Sequence, residues 1–200
     1  MKLLLASKSP RRRQLLSALG YPVEFISLDV DEHVPADIPA SATAELLACR
    51  KAAACPAEAI DSDSDTVLVT ADTVVVLGDR VLGKPTGRDD ALAMLRSLAG
   101  NRHTVYTGVC LRSTSRTMSF TEKTDVFFRQ LSDEELAYYV DNYHPYDKAG
   151  AYGIQEWIGM VGISHIEGCY YNVMGLPVAR LYEAIRQLVP NYPLNGNMQL

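Results

Sequence analysis

Residues 66–77 restrict what this chain can fold into more than any other stretch. Two β-branched apolar runs, Thr66–Thr70 and Thr73–Leu77, are separated only by Ala71-Asp72. Valine and threonine are stiff at χ1 and sit better on a pleated surface than in a helix. Each run therefore predicts a buried strand, and Gly78-Asp79 predicts a hairpin turn into Arg80–Leu82. Buried strands need helices to cover them, and the chain supplies candidates. Ser9 stands at an N-cap position with Pro10 at the first helical position; Leu15, Leu16 and Leu19 make an apolar stripe, and Gly20 stops it. Residues 43–54 read as a helix ended by Pro56, residues 88–98 as one closed by Gly100, and Pro177 opens a last helix running to Leu188. Ser132-Asp133-Glu134-Glu135 is a capping box. Further strands are predicted at 2–6, 23–27, 102–112, 117–128 and 161–167. Helices mixed with strands and hairpins predict an α/β fold around a mixed sheet.

The totals narrow the function. Two hundred residues at 48% hydrophobic suffice for one large domain or a single two-lobed unit, assigned here to residues 1–190 with 191–200 as a loose tail. A net charge of −5 argues against duplex nucleic acid as a partner, since phosphate backbones attract basic faces. A small anionic substrate stays open, because a local basic cluster can outweigh the whole. The apolar start, Leu3-Leu4-Leu5-Ala6, is too short for a signal peptide and runs straight into Lys8 and Arg11–Arg13. No stretch reaches the ~18–20 apolar residues of a membrane span, so the chain reads as cytoplasmic with no membrane partner. Cys49, Cys55, Cys110 and Cys169 form no metal-type or disulfide-type pattern and read as reduced thiols. His33, His103, His144 and His165 are scattered without zinc-site spacing. The acidic Asp61–Asp65 stretch lacks the glycine and distal glutamate of a calcium loop and reads as a solvated connection.

Several segments carry chemistry. Ser7-Lys8-Ser9-Pro10-Arg11-Arg12 joins a strand to a helix start. Free helix N–H groups, two hydroxyls and two forked cations suit a polyphosphate; a capped surface helix with solvated arginines is an equal alternative on spacing alone. Asp72 closes an apolar run, where an unpaired carboxylate is costly to bury. It can face a cleft and hold a metal or take a proton from water, or simply serve a turn. Gly78 to Lys84 spells a P-loop one residue short, but Pro85 stands where a magnesium-binding Ser or Thr is needed. Lys84 can still meet a phosphate as a point charge. In Asp147-Lys148-Ala149-Gly150-Ala151-Tyr152-Gly153-Ile154-Gln155 the glycines suggest close backbone approach to a ligand, and Gln155 can donate and accept as a base edge requires. Gly168–Pro177 reads equally as a structural turn or a ligand contact, and Tyr138, Tyr139 and Tyr143 as packing.

Taken in order, Leu5–Arg12, Asp31-Glu32, Lys51-Ala52, Ala71–Val75, Gly83–Pro85, Asp147–Gln155 and Asn172–Pro177 resemble the Maf family of nucleoside triphosphate pyrophosphatases over residues 3–188. The resemblance implies a two-lobed mixed-sheet fold with a central cleft, similar to inosine-triphosphate pyrophosphatases. It implies hydrolysis between the α- and β-phosphates with a divalent cation, Mg2+ or Mn2+. It matches Asp72 to the catalytic aspartate, Glu32 with Asp72 to the metal, and Ser7, Arg11, Arg12, Lys51, Lys84 and Gln155 to substrate binding. Arg11, Thr73, Gln155 and the 147–155 stretch are similar to the branch acting on dTTP and UTP, with modified pyrimidine triphosphates as further candidates. Gln14 departs from the glutamate many members carry there. Family members are also associated with inhibiting septum formation, which implies an alternative role as a nucleotide-dependent regulator. A homodimer is left open.

Overall fold

The structure, a computed structural model, describes residues 1–35, 37–60 and 66–190. The acidic 61–65 stretch and the 191–200 tail lie outside the described residues. Among the described residues, seven strands form one mixed sheet. They are β1 (Lys2–Ala6), β2 (Val23–Ile26), β3 (Thr66–Leu77), β4 (Arg80–Leu82), β5 (Arg102–Arg112), β6 (Thr117–Phe128) and β7 (Ile163–Glu167). Their order is β2-β1-β3-β5-β6-β7, with β4 on β3. β1 runs parallel to both β2 and β3, whereas β4 is antiparallel to β3 and β7 to β6. Leu3, Leu4 and Leu5 are all buried, as a strand covered on both faces demands. The helices are α1 (Pro10–Ser17), α2 (Ala40–Ala53), α3 (Arg88–Leu98), α4 (Asp133–Tyr143), α5 (Trp157–Gly162), α6 (Tyr170–Met174) and α7 (Val178–Leu188).

Most predicted elements form, and the departures have local causes. The two runs within 66–77 are one continuous strand, so Asp72 lies inside β3 rather than at its end or in a turn. α2 begins at Ala40, three residues before the predicted start. Its N-cap is Pro39 and makes no side-chain capping bond, so no capping residue marks the spot. α5 occupies residues where a strand was expected to begin. Its Gly159 and Gly162 discourage a helix by propensity. Yet a Cβ on Gly159 would stand 1.8 Å from Ile154 O, so the close approach demands glycine. The 168–177 stretch, read as a turn or a contact, contains α6. The capping box at Ser132 is complete, with Glu135 N donating to Ser132 Oγ and Ser132 N to Glu135 Oε2.

The chain separates into two compact units. The first comprises Met1–Asp72, Thr107–Glu122 and Gly175–Leu200; the second comprises Thr73–Tyr106 and Lys123–Met174. In the first, Leu4, Ala6, Ala48, Ala52, Cys55, Leu68 and Cys110 form a core between β1, β3 and α2. There Gly108 of β5 meets α2 so closely that a Cβ would stand 2.2 Å from Glu45 N. In the second, Leu92, Leu95 and Leu98 of α3 pack with Leu136, Tyr139 and Val140 of α4, and with Val126 and Phe128 of β6. Each fully buried leucine contributes about 1.5–3 kcal/mol. Cys49, Cys55, Cys110 and Cys169 are free thiols. Burial, with Cys49 alongside, pushes the Cys110 thiol up to about 12, which keeps it inert.

Candidate functional site

In the first unit, the turn from β1 into α1 is built from its own hydroxyls. Ser9 Oγ accepts from Arg12 N at 3.4 Å, and Ser7 Oγ accepts from Ser9 N at 3.1 Å. Ser7 is buried. Arg13 turns away from this group: its Nε donates to Ser7 O, and its guanidinium lies over the Phe25 ring at 5.1 Å. Arg12 Nε donates to Gly175 O at 2.8 Å, which anchors the guanidinium against the residue that follows α6. Burial lowers the Arg12 pKa, Asp72 and Glu32 pull it up, and Arg11 lowers it further. Arg12 thus shares its field with both carboxylates and a second arginine, and it stays charged because guanidinium does not lose its proton in proteins.

The carboxylates meet a lysine. Lys51 Nζ lies 2.6 Å from Asp72 Oδ1 and 2.8 Å from Glu32 Oε1. The side chains of Lys51 and Asp72 are each 16% exposed, and that of Glu32 is 58% exposed. The pairing follows from how α2 lies on β3. Thr70 Oγ1 donates to Ala48 O at 2.7 Å, which registers helix against strand. Asp72 is two residues along β3, on the same face as Thr70. Lys51 is three residues along α2, on the same face as Ala48. An unpaired carboxylate inside a strand would be costly; here an ammonium that the helix register places opposite neutralises it.

The second unit brings together two other predicted segments. Gly150 N donates to Gly83 O at 3.0 Å, so the Gly83-Lys84-Pro85 and 147–155 stretches are hydrogen-bonded. Gly150 has φ +70°, and a Cβ there would crowd Val75 at 3.1 Å, so glycine is required twice over. Lys84 is exposed on this turn. Gln155 Oε1 is buried and makes no hydrogen bond among the described residues. Thr73 directly follows Asp72 on β3. Ser7, Arg11, Arg12, Glu32, Lys51 and Asp72 therefore belong to the first unit, and Thr73, Lys84 and Gln155 to the second.

Residues 2–188 match the family described as Maf-like protein. The chain belongs to this family. A protein named dTTP/UTP pyrophosphatase from Bacteroides thetaiotaomicron is 49% identical over 188 residues, covering 94% of this chain and 96% of its own. One of the same name from Bacteroides fragilis is 48% identical over 189 residues, with 94% and 96% covered. Another, from Flavobacterium johnsoniae, is 43% identical over 188 residues, with 94% and 95% covered. Among solved structures, the Staphylococcus aureus Ham1 protein is similar over 64% of this chain and 72% of its own, at 16% identity and a TM-score of 0.44.

In this Maf chain, the described residues contain no group of three or more His, Cys, Asp or Glu able to hold a metal. The two carboxylates that share Lys51 are Asp72 and Glu32. Mg2+ keeps several waters and is commonly held by one or two carboxylates plus substrate phosphates rather than by an all-protein cage. Two converging carboxylates fit an ion that arrives with a triphosphate. No helix among the described residues is long and apolar enough to cross a membrane. The sequence reading assigned no role to Lys148 and Glu156 and took Tyr139 as packing. The structure joins all three: Lys148 Nζ lies 3.0 Å from Glu156 Oε1, and the Tyr139 hydroxyl donates to Glu156 Oε2. A lysine inside a run of small residues was the available signal; its partners depend on the fold.

Proposed function

We propose that this chain hydrolyses dTTP and UTP to the nucleoside monophosphate and diphosphate. One observation carries the reading: Lys51 bridges Asp72 and Glu32 within the field of Arg12, inside a chain 49% identical across 94% of its length to a protein named dTTP/UTP pyrophosphatase. Arg11, Arg12 and Lys51 carry three positive charges against the two negative charges of Asp72 and Glu32, an excess that suits a polyphosphate. Ser7 and the first-turn amides of α1 add donors. Thr73, Lys84 and Gln155 keep the roles that the family resemblance implies, Lys84 toward phosphate and Thr73 and Gln155 toward the base.

In the proposed reaction water attacks the α-phosphorus, a new P–O bond forms, and the Pα–O–Pβ bridge breaks with diphosphate as the leaving group. Asp72 Oδ1 is taken by Lys51; Asp72 either receives the proton of the attacking water on Oδ2 or, in place of that role, joins Glu32 as a metal ligand. Arg11, Arg12 and Lys51 stabilise charge on the phosphoryl oxygens, where most catalysis of phosphoryl transfer resides. In its second role Asp72 would hold the divalent cation with Glu32. When bound, that ion polarises phosphoryl oxygens and acidifies water.

UTP incubated with the protein and Mg2+ or Mn2+, with products resolved by 31P NMR, tests the reaction. UMP and diphosphate are expected as first products. UDP with orthophosphate, or no turnover with either metal, rejects it. Gln155→Ala is expected to lower the preference for UTP over GTP by about tenfold or more, because a base edge then loses its partner. An unchanged ratio removes Gln155 from base recognition.

A further inference from the structure

A buried polar network in the second unit remains without a role in the phosphate chemistry. Lys148, with a side chain only 9% exposed, is held by Asp147 Oδ1 at 2.7 Å and Glu156 Oε1 at 3.0 Å. The other oxygen of Glu156 accepts from the Tyr139 hydroxyl, and that same hydroxyl accepts from Gly153 N at 3.0 Å. Tyr139 is fully buried in the core between α3 and α4. Burial and the neighbouring Glu156 hold its hydroxyl protonated, well above the usual tyrosine range, so it remains a donor. Lys148 is held by two carboxylates, so its ammonium is already engaged within the network.

Its geometry converges on one amide. A Cβ on Gly153 would lie 2.8 Å from Glu156 Cδ and 2.9 Å from Gln155 Nε2. Both side chains therefore fold over Gly153, the residue whose backbone Tyr139 pins. Gln155 Oε1 is buried and lacks a partner among the described residues, although buried polar atoms are normally satisfied. An unmet acceptor held in a fixed direction is what recognition of a ring N–H, such as that of uracil or thymine, requires. Glu156 N donates to Gly153 O at 3.0 Å, which closes the turn carrying Gln155.

We infer that Lys148, Glu156 and Tyr139 are positioning residues that set the direction of the Gln155 amide and thereby determine base specificity. The inference rests on the proposed role of Gln155 in reading the base. Lys148 clamps the Glu156 carboxylate, Glu156 and Tyr139 fix the backbone and side chain at Gly153, and Gln155 presents its oxygen from that platform. None of the three touches the reacting phosphates.

The test measures kcat and KM for UTP and GTP in the full chain carrying Glu156→Gln, Tyr139→Phe, Gln155→Ala, and Gln155→Ala combined with Glu156→Gln. Tyr139→Phe keeps the ring in the core, and Glu156→Gln leaves Lys148 its second carboxylate, so both variants keep the packing. Each is expected to lower the UTP/GTP ratio of kcat/KM about tenfold, through a higher KM for UTP with kcat little changed. Adding Glu156→Gln to Gln155→Ala is expected to change the ratio no further, since a residue acting through another adds nothing once its target is gone. A ratio that falls in Gln155→Ala but stays at the wild-type value in Glu156→Gln and Tyr139→Phe overturns the positioning role and leaves the Gln155 reading standing. Equal additional loss in the double variant also overturns it. A wild-type ratio in Gln155→Ala removes the base-reading role, and the inference falls with it.

Discussion

Two lysines in this molecule are each caught between two carboxylates, yet their surroundings differ. Lys51 joins Asp72 and Glu32, with Arg11 and Arg12 adding positive charge. Lys148 joins Asp147 and Glu156, and Glu156 is tied further to Tyr139 and through it to Gly153. The first cluster lies in the field of two arginines and has an exposed partner in Glu32. Its lysine can exchange a carboxylate for an incoming phosphate. In the second, the inner partner Glu156 already bonds a buried hydroxyl. Its lysine has nowhere better to go. On the proposed function, the same ion-pair motif serves exchange in one unit and fixation in the other, and the difference lies in exposure and in what else the inner carboxylate touches.

Asp72→Asn is expected to break the first cluster's chemistry most completely. Diphosphate release from UTP should fall by about 10²–10⁴, with the circular dichroism spectrum and melting transition retained. Near-normal release would contradict the exchange reading.

The two lysines can then be set against each other. Lys51→Met should cost about 10²–10³ in kcat/KM and less stability than Lys148→Met, since Arg12 stays in the field of the partly buried Asp72 and Glu32 is open to water. Lys148→Met should do the reverse: denaturant unfolding should show a loss of about 3 kcal/mol, because Glu156 is left buried beside an apolar chain. In the folded fraction kcat should hold within a few-fold, while the KM for UTP rises as it does in Glu156→Gln. If both variants lose activity and keep stability, the distinction between the clusters disappears.

Acid should sharpen the contrast with a smaller effect. His103 in the second unit is buried, with Nε2 2.7 Å from the Tyr152 hydroxyl, and burial lowers its pKa to about 4. A histidine whose folded pKa lies below its unfolded value of ~6.5 binds fewer protons when folded, so acid favours unfolding. Stability is therefore expected to decline as pH falls from about 6.5 toward 4, by about 2 kcal/mol at pH 5. Unfolding midpoints at pH 7 and pH 5 should differ by less in His103→Phe than in the wild type. An unchanged pH dependence would remove His103 as the cause.

The sequence made the elements legible where local chemistry is strong. The runs at 66–77, the 102–112 and 117–128 strands and the Ser132 capping box all show a β-branched, alternating or capping pattern, and each forms. α2 and α5 lack those cues: one starts after an uncapped proline, and the other carries a glycine, Gly159, forced by a neighbouring backbone. The candidate site divides in the same way. Ser7 and Arg12 were legible because the strand–Ser-x-Ser–Pro–helix order sets their neighbours over a few residues. The Lys51–Asp72 pairing spans 21 positions in sequence and exists only because α2 registers on β3 through Thr70. The Lys148–Glu156–Tyr139 network was not legible. A tyrosine on a helix stripe looks like packing until its hydroxyl finds a carboxylate 17 positions away.

The contact at Gly108 carries a wider lesson. The helix that presents Lys51 rests on β5 main chain to main chain, where a single added carbon would overlap Glu45 N. A methyl group there would act as a wedge, tilting the helix at one end and displacing the ammonium two turns away. Random mutagenesis scored by diphosphate release would then flag position 108 beside the residues that meet the substrate, although nothing at that position reaches a reactant. In a protein of this build, loss of turnover marks the hinge points of the scaffold as readily as it marks the chemistry.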